Sequence, residues 1–182
     1  MNRHTNSKDQ DDAYSEAISQ YGSALARLVV GYEANAERRR DLLQEIHIAL
    51  WKSLANFHGH CSLRTWVYRI GHNVAISHVI KDKGQLNSQE VGLDELEEVV
   101  HSSDATDGID ASNTLERLLK MIRQLKALDQ QIILLYLDDV DANTIGQITG
   151  MSSINVATKI HRIKQFLARN FHLSRQAQGT KS

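Results

Sequence analysis

Hydrophobic positions along this chain recur at steps of three and four, the period of an amphipathic helix, and strand-like runs bounded by turn residues are scarce. Ala17, Ile18, Tyr21, Leu25, Leu28 and Tyr32 predict a first helix over roughly 13–32. Leu42, Leu43, Ile46, Leu50 and Leu54 predict a second over roughly 38–56. The segment "FHGHCS" breaks the pattern at Gly59, and the Ser62 hydroxyl is placed to cap a third helix. In that helix, "CSLRTWVYRIGHN", a stripe of Leu63, Val67, Ile70 and Val74 is expected to face a core. Trp66, Arg69 and Asn73 share a different face, and Arg64 and Tyr68 add a further charge and a further ring.

The pattern lapses over "GQLNSQEVGLDELEEVVHSSDATDGIDAS", residues 84–112, which is rich in Ser, Asp, Glu and Gly. A linker is predicted there, with at most one turn around Leu93–Val100. The helical period restarts with Leu115, Leu118, Leu119, Ile122 and Leu125. Asp129 is placed to cap the apolar "QQIILLYL". Asp141 then caps a short helix carrying Ile145 and Ile148, and Gly150 supplies a residue tolerant of positive φ for a sharp turn. Ser152 caps a longer helix with Val156, Ile160, Ile163 and Leu167 as its core stripe. The expected fold is all-α: two small helical domains, 10–83 and 113–173, joined by a flexible acidic linker.

Composition sharpens this picture in three places. The 182 residues include no proline, so no ring interrupts a helix. The first 20 residues are polar and acidic, and no apolar run approaches the ~20 residues of a membrane span, so a cytoplasmic chain without membrane insertion is expected. The single cysteine, Cys61, excludes an internal disulfide framework. The net charge of −1 conceals a segregation: 8 acids and no Lys or Arg in 84–112, against six basic residues and no acid from Ser153 onward.

Two helices joined by a glycine turn, the second one basic, outline a helix-turn-helix. Gly146 is small where those helices cross. With Val156 and Ile160 buried, Asn155, Thr158, Lys159, His161 and Arg162 project outward, toward base edges and phosphates. An ordinary helical hairpin with a solvated face would share the outline, and the acid-free tail favours DNA. The first module adds rings, arginines and an amide on one helix, with Phe57 at the edge of the preceding loop. Such groups suit unpaired bases, although Trp66 and Tyr68 could instead serve a core.

"RRDLLQEIHIALWKSLANFHGHCSLRTWVYRIGHNVAISH" resembles the promoter-binding domain of bacterial RNA polymerase sigma factors of the sigma-70 family, in the small two-domain extracytoplasmic-function type. The helix-turn-helix module resembles that family's second domain, and the likeness covers most of 13–171. The resemblance implies that Asp41, Gln44 and Glu45 dock on the clamp helices of the polymerase largest subunit, with the flap as a further contact. It implies that Asn73, with Phe57 nearby, captures a flipped minus-ten base, and that Arg64, Trp66, Tyr68 and Arg69 belong to the strand-separating segment. It places Asn155, Thr158, His161 and Arg162 on the helix that reads the minus-thirty-five element. An anti-sigma partner is expected on the same ground.

The chain departs from the family pattern at His58, where an arginine is common, and at Ile154 and Ala157, often a glycine and a basic residue. Altered or weaker base readout by the second domain follows from the latter two. His58, His60, Cys61, His72 and His78 lack the paired-cluster spacing of structural zinc, so neither metal nor cofactor is expected. A stand-alone regulator that binds duplex operators is the alternative function. An enzyme on nucleic acid finds no carboxylate cluster, phosphate loop or nucleophile constellation in support.

Overall fold

The computed structural model describes residues 3–86 and 111–179. All regular structure among them is helical: α1 (Arg3–Tyr32), α2 (Ala36–Leu54), α3 (Leu63–Leu86), α4 (Ala111–Gln124), α5 (Ala127–Leu137), α6 (Ala142–Thr149) and α7 (Ser153–Gly179). No helix of the described residues is long and apolar enough to cross a membrane. Two compact units result, one built on α1 to α3, the other on α4, α5, the larger part of α6, and α7. Residues 87–110, which hold most of the expected linker and the turn expected near Leu93–Val100, lie outside the described residues.

In the first unit each helix packs on both others. Leu25, Leu28 and Val29 of α1 meet Leu42, Ile46 and Leu50 of α2 and Val67 of α3 in a core that excludes water. Each such aliphatic side chain stabilises the fold by about 1.5–3 kcal/mol. Helix α2 begins two residues earlier than the hydrophobic pattern suggests, because Asn35 caps it: its Oδ1 accepts from the Glu37 and Arg38 N–H groups at 2.9 and 3.1 Å. Ser62 caps α3 as expected, its Oγ accepting from the Thr65 N–H at 3.1 Å.

The buried face of α3 is rotated from the expected one. Val67 is buried, but Leu63, Ile70 and Val74 are only half-buried, and the core face is Val67, Tyr68, Gly71, His72, Ala75 and Val79. Gly71 lies on this face, at the contact with α1. A Cβ there would lie 2.9 Å from Leu25 Cδ2 and 3.3 Å from Leu28 Cδ1, so its absence lets α3 approach α1 closely. The stripe with the most hydrocarbon is not the one nearest its neighbours.

The second unit has an aliphatic core of Leu119, Ile122, Leu125, Ile132, Ile133, Leu135, Ile145, Val156 and Ile163. Leu115, assigned to that stripe by its spacing, is 55% exposed. Asp129 is not a cap. Helix α5 starts at Ala127 after Lys126, which makes no side-chain cap bond. Asp129 lies inside the first turn, buried, and holds Lys159 Nζ at 2.5 Å. Asp141 does cap α6: its Oδ1 accepts from the Asn143 and Thr144 N–H groups at 3.0 Å and its Oδ2 from the Thr144 hydroxyl at 2.6 Å. Those bonds, the Thr144 hydroxyl first, hold its carboxyl below the usual carboxylate value. Gly150 adopts φ 78° and its N–H bonds Gly146 O at 2.8 Å, closing α6. At Gly146 a Cβ would lie 2.6 Å from the Met151 carbonyl oxygen, so the turn into α7 requires glycine.

Candidate nucleic-acid interface

Burying Tyr68, His72 and Val79 on one side of α3 turns Asn73 and Ser77 outward. Asn73 lies on an open groove of about 320 Å³ between α2 and α3, lined also by Glu45, Val74, Ser77, His78 and Lys81. The amide offers both donor and acceptor, Glu45 accepts, and Lys81 brings positive charge. This combination can recognise the polar edge of an unpaired base and the phosphate attached to it.

Toward the N-terminal end of α3, rings are tied into the unit. Trp66 is half-buried, its indole N–H donating to Ser53 Oγ at 3.0 Å, with the Phe57 ring tilted against it at 5.4 Å. Tyr68 is buried: its ring stacks on His72 at 6.2 Å and meets Tyr21 edge-on at 6.4 Å. Arg64 lies over the same ring at 5.5 Å. Tyr68 is therefore a core aromatic, not an outward platform for a base. His72 in turn shares a 2.8 Å hydrogen bond with the Tyr32 hydroxyl, whose burial pushes its pKa well above the usual phenol value. Arg69 is half-buried.

On α2, Asp41, Gln44 and Glu45 are all exposed and lie within one turn. Ile48, 47% exposed, continues that face, and Trp51 follows with its indole N–H on Asp11 at 2.7 Å. The patch thus combines acids, an amide and a bare aliphatic group, a composition suited to a basic protein surface.

An ion network that spacing alone did not reveal joins the ends of all three helices. Arg38 bonds Glu33 at 3.1 Å and also pairs with Asp82, while His78 Nε2 lies 3.4 Å from Glu33 and 3.7 Å from Asp82. Burial raises the Glu33 pKa, but the Asn35 N–H, His78 and Arg38 outweigh it and leave the carboxyl below its usual value. Glu33, His78 and Asp82 offer ligand atoms within 4.8 Å of one another, yet Arg38 already supplies the cation that the two carboxylates face. The His78–Asp82 spacing of four was the one visible signal for this cluster. Of the other histidines weighed as ligands, His58 and His60 meet edge-on at 6.3 Å.

In the second unit, α7 keeps Val156, Ile160, Ile163, Phe166 and Leu167 inside. Asn155, Thr158, His161 and Arg162 are exposed on its other side, with His161 held to Gln165 at 2.9 Å. Ser152 Oγ accepts from the Asn155 N–H at 3.2 Å and so starts the helix. Lys159 differs from the other four: it is half-buried and bonded to Asp129. Its place in the outward set is corrected to a strut between α5 and α7.

Comparison with known proteins now bears on this arrangement. The Sigma-70 region 2 family matches residues 17–84, and the Sigma-70, region 4 family matches residues 115–167. The extracytoplasmic-function RNA polymerase sigma factor SigW of Bacillus subtilis is 26% identical over 170 residues, covering 88% of this chain and 89% of that protein. This chain belongs to the sigma-70 family, in its extracytoplasmic-function type. A second sigma factor, YlaC of the same organism, is also 26% identical over 170 residues, at 92% and 96% coverage. The fold of CnrH, solved in complex with the cytosolic domain of CnrY, matches with a TM-score of 0.62 at 17% identity, covering 91% of this chain and 92% of that one.

Within this sigma factor, region 2 coincides with α1 to α3 and region 4 with the helices that include the helix-turn-helix. Phe57, Trp66 and Asn73 lie along the α2–α3 side of the unit, whereas Arg64 lies over Tyr68 on the side of α3 that faces Tyr21 of α1. Ser77 and Lys81, which complete the groove, were missed because a serine and a lysine late in an amphipathic helix look like ordinary solvent-facing positions.

Proposed function

We propose that this sigma factor binds core RNA polymerase and directs it to promoters, with its two regions dividing the work. One observation carries the reading. A region 2 unit with an exposed amide, Asn73, beside an open groove precedes a region 4 helix-turn-helix whose second helix shows a polar, acid-free face. In this reading Asn73 and the groove hold a flipped minus-ten base, with Phe57 and Trp66 at the rim and Arg64 and Arg69 supporting the separated strand. Asn155, Thr158, His161 and Arg162 read the minus-thirty-five element in the major groove. Asp41, Gln44 and Glu45, extended by Ile48, dock on the polymerase clamp helices. The domain limits 10–83 and 113–173 fit this division, and the acidic segment 84–112 would follow the polymerase channel, where its charge mimics nucleic acid. No catalytic step is assigned to the chain. The CnrH structure holds a partner's cytosolic domain, which supports an anti-sigma partner here.

Purified chain added to core polymerase is expected to give promoter-specific transcripts that core alone does not. Identical transcripts without the chain would defeat the proposal. Palindromic duplex binding without polymerase would favour the stand-alone regulator. Asn73→Ala is expected to slow promoter opening about tenfold or more while core affinity changes less than about twofold, as for loss of one or two directed hydrogen bonds to a base. Equal losses in opening and in core binding would remove Asn73 from base capture.

A further inference from the structure

The first turn of α7 carries a side chain that the polar reading of this helix leaves unexplained. Ile154 is 76% exposed, more than any other large hydrophobic residue among those described. It does not serve the core, which is reached from α7 by Val156, Ile160 and Ile163 on the far side. Ala157, Thr158 and His161 stand three, four and seven residues after it, so these four share one face. Ala157 is exposed and offers only a methyl group. The Thr158 hydroxyl donates back to the Ile154 carbonyl at 3.0 Å, which satisfies its polar group within the helix and leaves its methyl as the part able to meet a partner. The start of this face is thus an apolar ridge, and its far end, at His161 and the adjoining Arg162, is polar and basic.

We infer that Ile154, backed by Ala157 and the Thr158 methyl, is a specificity-determining residue that reads the 5-methyl group of a thymine in the upstream promoter element. The inference rests on the assignment of α7 as the helix that enters the major groove. Residues at the start of such a helix approach base edges, and the thymine methyl is the one apolar feature that the major-groove edge of an unmodified base pair presents. A protein partner would also accept an exposed isoleucine. The continuity of the ridge with Asn155, His161 and Arg162, in a stretch with six basic residues and no acid after Ser153, matches a polyanion instead. Ile154 and Ala157 therefore change what the helix reads, rather than merely weakening it.

The test uses holoenzyme assembled from core polymerase and the full chain. Its preferred upstream element is selected from a randomised duplex library, and each thymine in it is then replaced by deoxyuridine, which removes the methyl and nothing else. Wild-type holoenzyme is expected to lose about fourfold in affinity at one or two positions, the effect of one buried methyl group. Ile154→Ala holoenzyme is expected to bind the thymine and deoxyuridine duplexes equally at those positions, and Ile154→Val to keep part of the discrimination. Sensitivity to the methyl that persists in Ile154→Ala, or no sensitive thymine in the wild type, would overturn the inference while leaving promoter reading intact. An upstream library with no sequence preference at all would overturn the assignment of α7 as well. Because Ile154 is exposed, its replacement leaves the core unchanged, and a core-binding assay in parallel separates loss of a polymerase contact from loss of readout.

Discussion

Helix α7 buries mainly aliphatic side chains and leaves most of its polar residues, with Ile154 among them, exposed, whereas α3 buries Tyr68, His72 and Thr65 alongside Gly71 and Ala75. The exposed face of α7 follows from its own sequence, since Val156, Ile160 and Ile163 leave only one side free. The surface around α3 is made jointly: Asn73, Ser77 and Lys81 need Glu45 of α2 to form a groove, and α3 itself lies close against α1 at Gly71. A recognition face can be a property of one helix, or of a packing arrangement among three. In the second case a substitution far from the surface alters the site.

The two tight glycines test that contrast most strongly. Gly146→Ala is expected to destabilise the second unit by about 3 kcal/mol, because the new methyl meets a backbone carbonyl in a turn that cannot yield without moving α7. Gly71→Ala should change the first unit by less than about 1 kcal/mol: the nearest atoms are ends of flexible leucines, and alanine's helix propensity offsets the crowding. Hydrogen exchange resolved by peptide separates the units and gives both values. A Gly71→Ala penalty as large as that of Gly146→Ala would show that the first core is the stiffer of the two.

A smaller effect is expected at Lys159. Lys159→Met should cost the second unit about 2 kcal/mol, less than for a fully buried pair because the lysine retains 32% of its side-chain exposure while Asp129 retains 6%. Adding Asp129→Asn should recover much of the loss. Unchanged stability with weakened duplex binding would return Lys159 to the DNA-reading set.

Acid should separate the units by the smallest margin. Burial lowers the His47 pKa from its usual 6.5, so below that pH the unfolded chain takes up a proton that the folded first unit resists, and stability falls with pH. Glu33, held low in the fold, extends the same loss toward the carboxylate range. In the second unit the carboxyl held low is that of Asp141, and it acts only as pH falls below its usual 3.8. Thermal melts at pH 7 and pH 5 should therefore show a slightly lower first-unit transition at pH 5, and His47→Gln should remove part of that difference. A first-unit transition that rises on acidification would contradict the assignment.

How much of this was legible in the sequence follows from the chemistry of each face. Asp141, Gly150, Ser152 and Ser62 were readable because a cap or a left-handed turn is local: the residue type and the hydrogen bond lie within four positions of each other. The α7 stripe was readable because aliphatic residues carry it. The α3 stripe was misplaced because Val67 and Val79 share their core side with glycine, alanine, histidine and tyrosine, which carry little hydrophobic signal one by one and are buried through partners on the neighbouring helices. Asp129 was misread for a related reason. An aspartate before an apolar run looks like a cap, and nothing in the local spacing points to a lysine thirty residues later.

The two tryptophans of the chain, Trp51 and Trp66, both sit in the first unit, each with its indole N–H in a defined hydrogen bond, to Asp11 and Ser53 respectively. Indole emission excited at the red edge of the absorption band is consequently a signal from region 2 alone, with region 4 dark. Trp51 follows the exposed α2 patch proposed to dock on polymerase, and Trp66 packs against Phe57. A single-tryptophan variant of each kind would convert the unlabelled protein into a reporter of polymerase docking in one case and of strand capture in the other.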